Sequence, residues 1–501
     1  MKISIKGFEA RNKAIEGVTY VGDAIKSTIG PFGLNFMLEK GNKLTNDGYL
    51  IASELAPTVE NEFARRGALV AHEASSKTND EVGDATSTAW ALTMDIIKEA
   101  VRYLPSDKIG KAKKQPSEIR EQIKQERQQI EEKLQTMIHK IESKEELIQS
   151  AMVSVEDENV AKLLGETQWE LGPYGRIVVE EVNETECSIE KGIGIRLDNG
   201  FGATHFITNQ EKGTMELSEI PVFLTNYTIG IEELTKLQEL ILKDLIAQKK
   251  WGIIIIGRAF TADAIKACTE SMQSGFPIFP INAPYVDQRE VMRDIEAVVG
   301  GRYIDSQETS LDEVFLTDVG YIKRIVASMT SAEIGGIEDE KAKERIEKRV
   351  ATLQEKLKGE KSDFGKRMIE ERIAQLTGGF AVLKVGSYSV VERKRLKDKC
   401  DDAVHSVRLA LQGGTIKGAG IALKEISDTM EDGSILKRPI RGIYDHIISS
   451  APEDWNVPEW VRDPYLSISC ALKHACDTAS AFATVNGVIT EENPQKCKCK
   501  Q

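Results

Sequence analysis

The 501-residue sequence has few cysteines, few aromatic residues and no long apolar run. Its 7 cysteines are odd in number and scattered, so they do not form the disulfide framework of a small secreted protein. The longest apolar run, residues 251–257, is far shorter than the roughly 18–20 residues that span a bilayer. The start, MKISIKGFEARN, lacks the apolar stretch of a signal peptide. We therefore expect a cytoplasmic protein that does not bind a membrane.

The sequence also has fewer positive than negative residues: 66 Lys and Arg against 79 Asp and Glu, which gives a net charge of −13. Non-specific nucleic-acid binding depends on clustered Lys and Arg, so we expect no nucleic-acid partner. The hydrophobic fraction of 41% and the charged fraction of 29% are those of an ordinary globular protein. They exclude a wholly disordered or collagen-like chain, and the length suggests about two to four domains.

Helical and strand-like patterns alternate along the chain. Residues 8–102 and 390 to the end are mostly helical in pattern, whereas short strands alternate with helices from about 175 to 330. A charged helical pair with a solvated face is predicted over residues 338–375. Helix-rich ends around an α/β middle are typical of a chain that leaves one domain, builds another and returns. The individual predictions are strands at 176–179, 220–224, 253–256, 276–279 and 380–385, and helices at 231–249 and 261–272.

An apolar stripe runs through the polar segment that follows the first helical region. It comprises Ile119, Ile123, Ile130, Leu134, Met137, Ile138 and Ile141. Spacings of three, four and seven predict a helix with one apolar face. An ordinary packed helix and a coiled-coil seam are both compatible with this pattern.

Five short segments have the residues that handle phosphate, although each alone is a common turn or helix cap. They are TIGPFG at 28–33, LTNDG at 44–48, GDATST at 83–88, CDDAVHS at 400–406 and GGTIKGAG at 413–420. Backbone N–H groups at glycine-rich turns and helix starts bind anions, and an adjacent Asp suits a magnesium ion. The sequence contains no P-loop of the form GxxxxGK[ST].

In this order and at this spacing, the segments resemble group I chaperonins of the GroEL type. The resemblance also rests on EASSKTNDEVGDATSTA, RIAQLTGGFAVLKVG, KGAGIAL and RDPYLSISCAL. It extends from Lys6 to about Glu491, with weaker stretches at 101–150 and 425–460. It implies an α+β multidomain fold with a mostly helical equatorial ATPase domain (1–136 and 413–501), a small intermediate domain (137–192 and 381–412) and an α/β apical domain (193–380).

The resemblance implies ATP and Mg²⁺ as cofactors, with K⁺ as a further candidate. Asp84 matches the magnesium-binding Asp, Asp402 matches the catalytic Asp that polarises the attacking water, and Asp47 matches the acidic residue near the γ-phosphate. The other positions that match nucleotide contacts are Thr28, Ile29, Gly30, Pro31, Ala85, Thr86, Ser87, Thr88, Gly418, Ala419 and Asp463.

Two of these positions, Ala85 and Ala419, carry a methyl group where the family has glycine. A methyl group is tolerated at Ala85 only if φ is negative there. Both methyl groups could weaken ATP affinity without removing a charged group.

The segment between Arg441 and Asp463 is shorter than in the family, where it supplies base contacts and part of the ring–ring interface. Trp455 and Trp460 are candidates to fill the gap, although aromatic residues in short loops more often only pack. We therefore expect homo-oligomeric rings, sevenfold by resemblance, with weak ring pairing. Whether the assembly is a single or a double ring stays open, as does the need for a co-chaperonin.

The family binds unfolded polypeptides in an apical groove. The matching positions are Phe201, His205, Phe206, Leu240, Lys243, Ile265, Thr269 and Glu270, of which we assign Phe201, His205, Phe206, Leu240 and Ile265 to substrate binding. Phe201 and Phe206 are expected on a surface loop with no evident core to enter.

The leading functional prediction is an ATP-dependent chaperonin that captures non-native polypeptides and assists their folding inside a ring cavity. The alternative is a divergent holdase or structural relative with weak ATP cycling. A metabolic ATP-dependent enzyme would need a small-molecule motif that we do not find. Near the C-terminus, Cys497 and Cys499 are either a metal-binding or redox pair or part of a basic tail.

Overall fold

The computed structural model describes residues 2–38, 43–104, 114–197, 199–210, 213–285, 287–329, 331–336 and 339–491. Cys497 and Cys499 lie outside these residues. The helices are α1 Gly7–Lys26, α2 Gly48–Leu55, α3 Glu62–Val82, α4 Thr86–Val101, α5 Pro116–Thr136, α6 Lys144–Val155, α7 Glu158–Leu171, α8 Ile231–Leu237, α9 Lys243–Ala247, α10 Ala262–Ser271, α11 Gln288–Val299, α12 Glu340–Gly359, α13 Asp363–Gly378, α14 Val390–Gly413, α15 Ile421–Asp428, α16 Lys437–Ser450 and α17 Tyr465–Phe482.

The strands are as short as two residues and as long as eleven. They are β1 Lys2–Lys6, β2 Phe36–Leu38, β3 Lys43–Thr45, β4 Arg176–Glu181, β5 Ser188–Leu197, β6 Met215–Thr225, β7 Thr228–Ile229, β8 Ile253–Gly257, β9 Ala259–Phe260, β10 Ile278–Asn282, β11 Tyr303–Ile304, β12 Gly320–Ala327, β13 Ala332–Gly336, β14 Phe380–Val385, β15 Thr415–Lys417, β16 Arg462–Pro464 and β17 Gly487–Glu491.

The chain forms two compact units. Unit 1 comprises Met1–Trp169, Val179–Ser188 and Lys384–Gln501, and unit 2 comprises Glu170–Val178 and Ile189–Leu383. The chain therefore leaves unit 1, builds unit 2 and returns, as the alternation of patterns predicts. The finer division into equatorial, intermediate and apical domains stays a prediction.

Unit 1 is a layered helical body in which α1 packs on α3 and α17 packs on α3, α4 and α5. Two glycines permit the close approach of α1 and α3. A Cβ on Gly17 would lie 1.8 Å from the carbonyl oxygen of Ala64, and one on Gly67 would lie 2.1 Å from that of Ala14. The two helix backbones are thus in direct contact, which fixes α3 and the loop that follows it.

Helix α5 is an ordinary packed helix, because the first four residues of its stripe are buried in the core of unit 1: Ile119, Ile123, Ile130 and Leu134. The helix ends at Thr136, so the last three residues of the predicted stripe lie beyond it. Its face also buries Glu126, whose carboxylate accepts hydrogen bonds from the backbone N–H groups of Ile435 and Leu436 at 3.1 and 2.8 Å. That bonding holds the start of α16 against α5.

Three two-stranded ribbons complete unit 1. β1 pairs antiparallel with β17, from Lys2 opposite Glu491 to Lys6 opposite Gly487. β2 pairs with β3, and β15 pairs with β16. Two large apolar side chains on these ribbons face solvent, with Met37 79% exposed and Ile489 69% exposed.

Unit 2 is built on a 9-stranded mixed sheet with the order β10-β8-β6-β12-β13-β5-β14-β4, and β11 pairs with β6. The three strands β10, β8 and β6 are parallel, whereas β12 is antiparallel to both of its neighbours. The four isoleucines of β8 are fully buried, as expected for a continuous apolar run in a parallel strand covered on both faces. The strand predicted at 276–279 is displaced, since β10 begins at Ile278.

The charged helical pair α12–α13 does not have the purely solvated face that its sequence predicts. Arg349 and Arg372 are buried, and their Nε atoms donate to opposite oxygens of the fully buried Asp294 on α11, each at 2.6 Å. Glu290 on α11 accepts from Arg349 at 2.8 Å and contacts Lys356 at 2.6 Å. Burial alone would raise the pKa of Glu290, but the hydrogen bonds from Lys356 and Arg349 outweigh it and lower the pKa to about 2.

Candidate functional site

A cavity of about 570 Å³ in unit 1 collects the phosphate-handling segments from both ends of the chain. Its polar wall is made by residues 28–31, 46–47 and 84–88, by Lys399 and Asp402 on α14, and by Asp463 on β16. Every predicted catalytic, metal and nucleotide residue lines it except Gly418. A Cβ on Gly418 would lie 2.9 Å from Asp463 Oδ1, so this glycine lets the backbone approach the carboxylate. The segments do converge, while the role of each residue stays a prediction.

The N-terminus of α4 provides an anion-binding element on this wall. Thr86 begins the helix, and the N-cap position is Ala85, whose methyl group offers no hydrogen bond to the first turn. The free N–H groups and the positive end of the helix dipole favour a negatively charged group at this point. The side chains of Ser87 and Thr88 line the same part of the cavity.

The backbone at Ala85 is left-handed, so the negative φ that would accommodate its methyl group without strain is not present. Ala85 has φ 59° and ψ 26°, and Ala419, which also lines the cavity, has φ 53°. An L-residue with a Cβ pays about 1–2 kcal/mol for this conformation because the Cβ crowds the following carbonyl oxygen. The loop keeps the shape that glycine would allow, at the expense of local strain.

Asp84 is held by two hydrogen bonds. Its Oδ1 accepts from the N–H of Ala85 and its Oδ2 accepts from Ser467 Oγ on α17, both at 2.7 Å. Burial raises the pKa of Asp84, and these two bonds partly oppose the increase. The turn before it is tight, because Gly83 has φ 70° and a Cβ there would lie 2.7 Å from the His405 ring on α14.

Asp47 links the second segment to α4. It is the N-cap of α2, and its Oδ1 accepts from the N–H of Tyr49 at 2.8 Å and from Thr86 Oγ1 at 3.0 Å. The next residue must be small, since a Cβ on Gly48 would lie 2.5 Å from Ser87 Oγ. Asp47 is therefore fixed beside the start of α4.

Asp402 is electrostatically connected to the other two carboxylates. Burial first, and then the negative charges of Asp47 and Asp84, raise its pKa well above the ordinary value. Burial first, and then the charge of Asp84, raise the pKa of Asp463, which also lines the cavity, to about 7. A cation between these groups would remove the mutual repulsion, and carboxylate oxygens are the hard ligands that Mg²⁺ prefers. The donor set therefore fits a Mg²⁺ ion.

Two lysines that line the cavity were assigned no role in the sequence analysis. Lys399 on α14 is buried and forms an ion pair with Glu156, and Lys417 on β15 forms one with Glu425 at 2.7 Å. The signal for Lys399 was its position three residues before Asp402, which places both side chains on one helix face. Lysine ammonium groups so placed could neutralise phosphate charge.

The opposite wall is apolar and includes the aromatic residues of the short 441–463 segment. Ile443, Ile447, Trp455, Val457, Pro458 and Trp460 line it. Trp455 packs edge-on against Phe32, with ring centroids 5.2 Å apart and an interplanar angle of 85°. The two tryptophans thus reach the cavity as well as packing on the loop beside it.

The TCP-1/cpn60 chaperonin family model matches residues 21–434. The chain belongs to this family. Two solved structures of the chaperonin gp146 from bacteriophage EL 2 (Pseudomonas aeruginosa), both in the presence of ATP-BeFx, are 21% identical to the chain. Crystal form II aligns with a TM-score of 0.71 over 98% of this chain and 100% of that chain. Crystal form I aligns with a TM-score of 0.64 over 98% and 99%.

These alignments confirm the predicted α+β multidomain chaperonin fold. Within the described residues, none of the helices combines the length and the apolar character that crossing a bilayer requires.

Two of the five predicted substrate-binding residues of unit 2 are buried in its core. Phe201 and Phe206 are 1% and 0% exposed and belong to the core of unit 2, so the expectation of a solvent-facing apolar loop is wrong. Phe201 forms a bridge with Ile281 of β10, and the Phe206 ring packs against Phe279 at 6.5 Å. Their rings fill the end of the sheet instead of facing solvent. His205 is exposed, and Leu240 and Ile265 are half-buried against the core.

Proposed function

We propose that this chaperonin binds ATP with Mg²⁺ in the unit 1 cavity and uses hydrolysis to assist the folding of non-native polypeptides. The observation that carries the proposal is the convergence of Asp47, Asp84 and Asp402 on one cavity with the start of α4. Its volume of about 570 Å³ lies within the range of small-molecule and cofactor sites. The presence of ATP-BeFx with the phage chaperonin supports a nucleotide as the ligand.

Phosphoryl transfer depends mainly on positioning and on neutralising charge. Mg²⁺, when bound, neutralises charge on the phosphate oxygens. Asp84 would hold this ion, and the N–H groups at the start of α4 would hold a phosphate group. Asp402 would orient the attacking water and accept its proton at a carboxylate oxygen. Asp47, whose Oδ1 accepts from Thr86 Oγ1 at 3.0 Å, would act beside the terminal phosphate. The apolar wall with Trp455 would bind the base of the nucleotide.

Client binding is proposed for the helical surface of unit 2, without Phe201 and Phe206. His205, Leu240 and Ile265 stay proposed contacts. Helices α8 and α9 run on through a π-helical turn at Gln238–Leu242, and they expose Ile231 and Ile246 by 46% and 52%. Exposed apolar side chains of this kind are expected to bind the apolar segments of unfolded chains.

The assembly is proposed to be a closed ring with weak pairing between rings. The exposed Met37 on β2 and Ile489 on β17 are apolar side chains suited to contact a neighbouring subunit. Rings that carry −13 per chain repel one another, and the short 441–463 segment reduces the contact that would oppose this. Mass measurement by light scattering should show ring pairing that depends on salt and nucleotide. A double ring under every condition would contradict weak pairing, and a monomer throughout would contradict the ring.

A holdase with weak ATP cycling is the second candidate. The left-handed Ala85 and Ala419 favour it, because strained backbone at two positions in the cavity lining can lower nucleotide affinity. Slow turnover together with ATP-independent suppression of client aggregation would select this function.

The charge of Asp84 provides the direct test of the nucleotide site. Asp84→Asn keeps the side-chain shape and the hydrogen-bonding capacity toward Ser467, but removes the negative charge that would bind Mg²⁺. Calorimetry with and without Mg²⁺ should show Mg²⁺-dependent ATP binding by the unaltered chain and its loss in the variant. Ser467→Ala is the matched control, because it removes the hydrogen bond and leaves the carboxylate. Equal Mg²⁺ dependence in Asp84→Asn and the unaltered chain would reject the assignment.

A further inference from the structure

Helices α3 and α17 bring together three side chains of the kinds that bind transition metals. Glu81 lies in the last turn of α3, and Cys470 and His474 lie one turn apart on α17. One ligand atom from each lies within 4.8 Å of the other two. Within the described residues, this is the one group of three such side chains that meets this distance.

The three donors differ chemically in a way that suits zinc and its neighbours. Thiolate, imidazole and carboxylate are the ligands of Zn²⁺, which binds them at about 2.0–2.3 Å in tetrahedral geometry. Such bonds place neighbouring donor atoms about 3.5 Å apart. His474 Nε2 already lies 2.8 Å from Glu81 Oε2, so a modest adjustment of side-chain torsions would make the site.

Burial gives the cluster a closed side and an open side. Cys470 and His474 are 5% and 8% exposed, and Cys470 packs with Val82 and Leu409 in a small apolar cluster. The side chain of Glu81 is 48% exposed. An ion could therefore enter past Glu81 and keep a water molecule as its fourth ligand.

We propose that Glu81, Cys470 and His474 form a binding site for one divalent transition-metal ion of the zinc class. The ion would bond to a Glu81 carboxylate oxygen, Cys470 Sγ and His474 Nε2, and the thiol proton would pass to solvent. Lys473 Nζ, which donates to both Glu81 oxygens at 3.1 and 3.0 Å, would keep its bond to the second oxygen. The inference does not rest on the proposed nucleotide site, because none of the three ligands lines the cavity.

Such an ion would fasten α17 to the end of α3. The chain passes from Glu81 through Val82 and Gly83 to Asp84, whose carboxylate is bonded to Ser467 near the start of α17. The metal site and the Ser467 bond would then be two successive connections between the same helix and the same loop. Without the metal, the ion pair of Glu81 with Lys473 and His474 makes the first connection by itself.

Cobalt(II) is the probe, because a thiolate bound to Co²⁺ gives a charge-transfer absorption in the near ultraviolet that oxygen ligands do not give. The full-length, reduced and chelator-treated chain is titrated with Co²⁺ and then with Zn²⁺. We expect this absorption to reach a plateau at one Co²⁺ per chain and to disappear when Zn²⁺ is added. The Cys497→Ser/Cys499→Ser variant should give the same result, which separates the site from the C-terminal cysteines.

The variants test each ligand. Cys470→Ser should abolish the absorption, whereas Cys476→Ser, a buried cysteine on the same helix outside the cluster, should keep it. Glu81→Gln changes a half-exposed side chain, so it should fold normally and bind Co²⁺ at least tenfold more weakly.

No thiolate absorption from the unaltered chain would show that the cluster is only an ion pair beside a thiol. Absorption that survives in Cys470→Ser, or is lost with the C-terminal double variant, would also overturn the proposal. If Cys470→Ser does not fold by circular dichroism, unchanged Co²⁺ affinity in Glu81→Gln decides against it.

Discussion

The substitution Asp402→Asn should separate nucleotide binding from hydrolysis. Asparagine has the shape of aspartate but cannot accept a proton from water, so the orienting contact would remain and the base would be lost. Loss of a positioned general base typically slows a reaction by about two to four orders of magnitude. We expect ATP turnover to fall by about 100-fold or more, which corresponds to about 2.7 kcal/mol in activation free energy.

Nucleotide affinity should not fall with it. Burial first, and then the negative charges of Asp47 and Asp84, raise the pKa of Asp402, so its carboxylate is repelled by the other two. Removing one of these charges lowers the repulsion that a phosphate group meets in the cavity. ATP should therefore bind Asp402→Asn as tightly as the unaltered protein, or more tightly.

The assay measures ATP turnover at saturating Mg²⁺-ATP and ATP affinity by calorimetry on the same preparation. Asp401→Asn is the matched control, since it makes the same chemical change one residue earlier on α14, outside the cavity lining. Turnover of Asp402→Asn within tenfold of the unaltered protein would refute the role of Asp402 as base. An equal loss in Asp401→Asn would point to helix damage instead.

Three further outcomes are expected. Ala85→Gly should raise the stability of unit 1 in chemical unfolding by about 0.5–1 kcal/mol, because the relieved strain of about 1–2 kcal/mol exceeds the entropy that glycine adds to the unfolded chain; a decrease would contradict the strain. The pKa of Glu290 is lowered from 4.5 to about 2 in the folded state, and after a discount for solvent screening this corresponds to about 1–2 kcal/mol of stability that is present above pH 4.5 and is lost as the pH falls toward 2. Glu290→Gln should therefore destabilise unit 2 at pH 7 but hardly at pH 2, and a pH-independent difference would contradict this. Addition of Mg²⁺-ATP should change tryptophan emission, and Trp455→Phe should remove most of the change, while Trp169→Phe, outside the cavity lining, should not.

Much of the candidate site was predictable because its residues are concentrated in short segments. The turns around Asp47 and Asp84 and the helix that carries Asp402 each have a recognisable local pattern, and their order along the chain supplied the rest. The structure places all three side chains on one cavity wall. The conformation of Ala85 was not predictable from its own side chain, because the surrounding loop imposes a left-handed backbone on it.

Errors arose where burial depends on contacts between distant segments. A short loop with Phe201 and Phe206 has no periodicity that tells a solvent-facing ring from one that closes a core. Only the bridge from Phe201 to β10, eighty residues further along, settles its position. The Glu81 cluster was missed for the same reason, although Cys470 and His474 at i and i+4 on an apolar helix were a local signal that could have been followed.

Because Gly83 lies against the ring of His405, the residues that each of these two positions tolerates depend on the other. Any side chain at 83 would have to displace the His405 ring, which projects from the helix that carries Asp402. The loop that carries Asp84 and the helix that carries Asp402 therefore meet where a hydrogen atom at one position lies against an imidazole at another, 322 residues along the chain. A smaller residue at 405 would relax the steric barrier at 83 but not the cost of its positive φ. Mutations at the two sites should therefore be strongly non-additive, and position 405 would have to change before position 83 could.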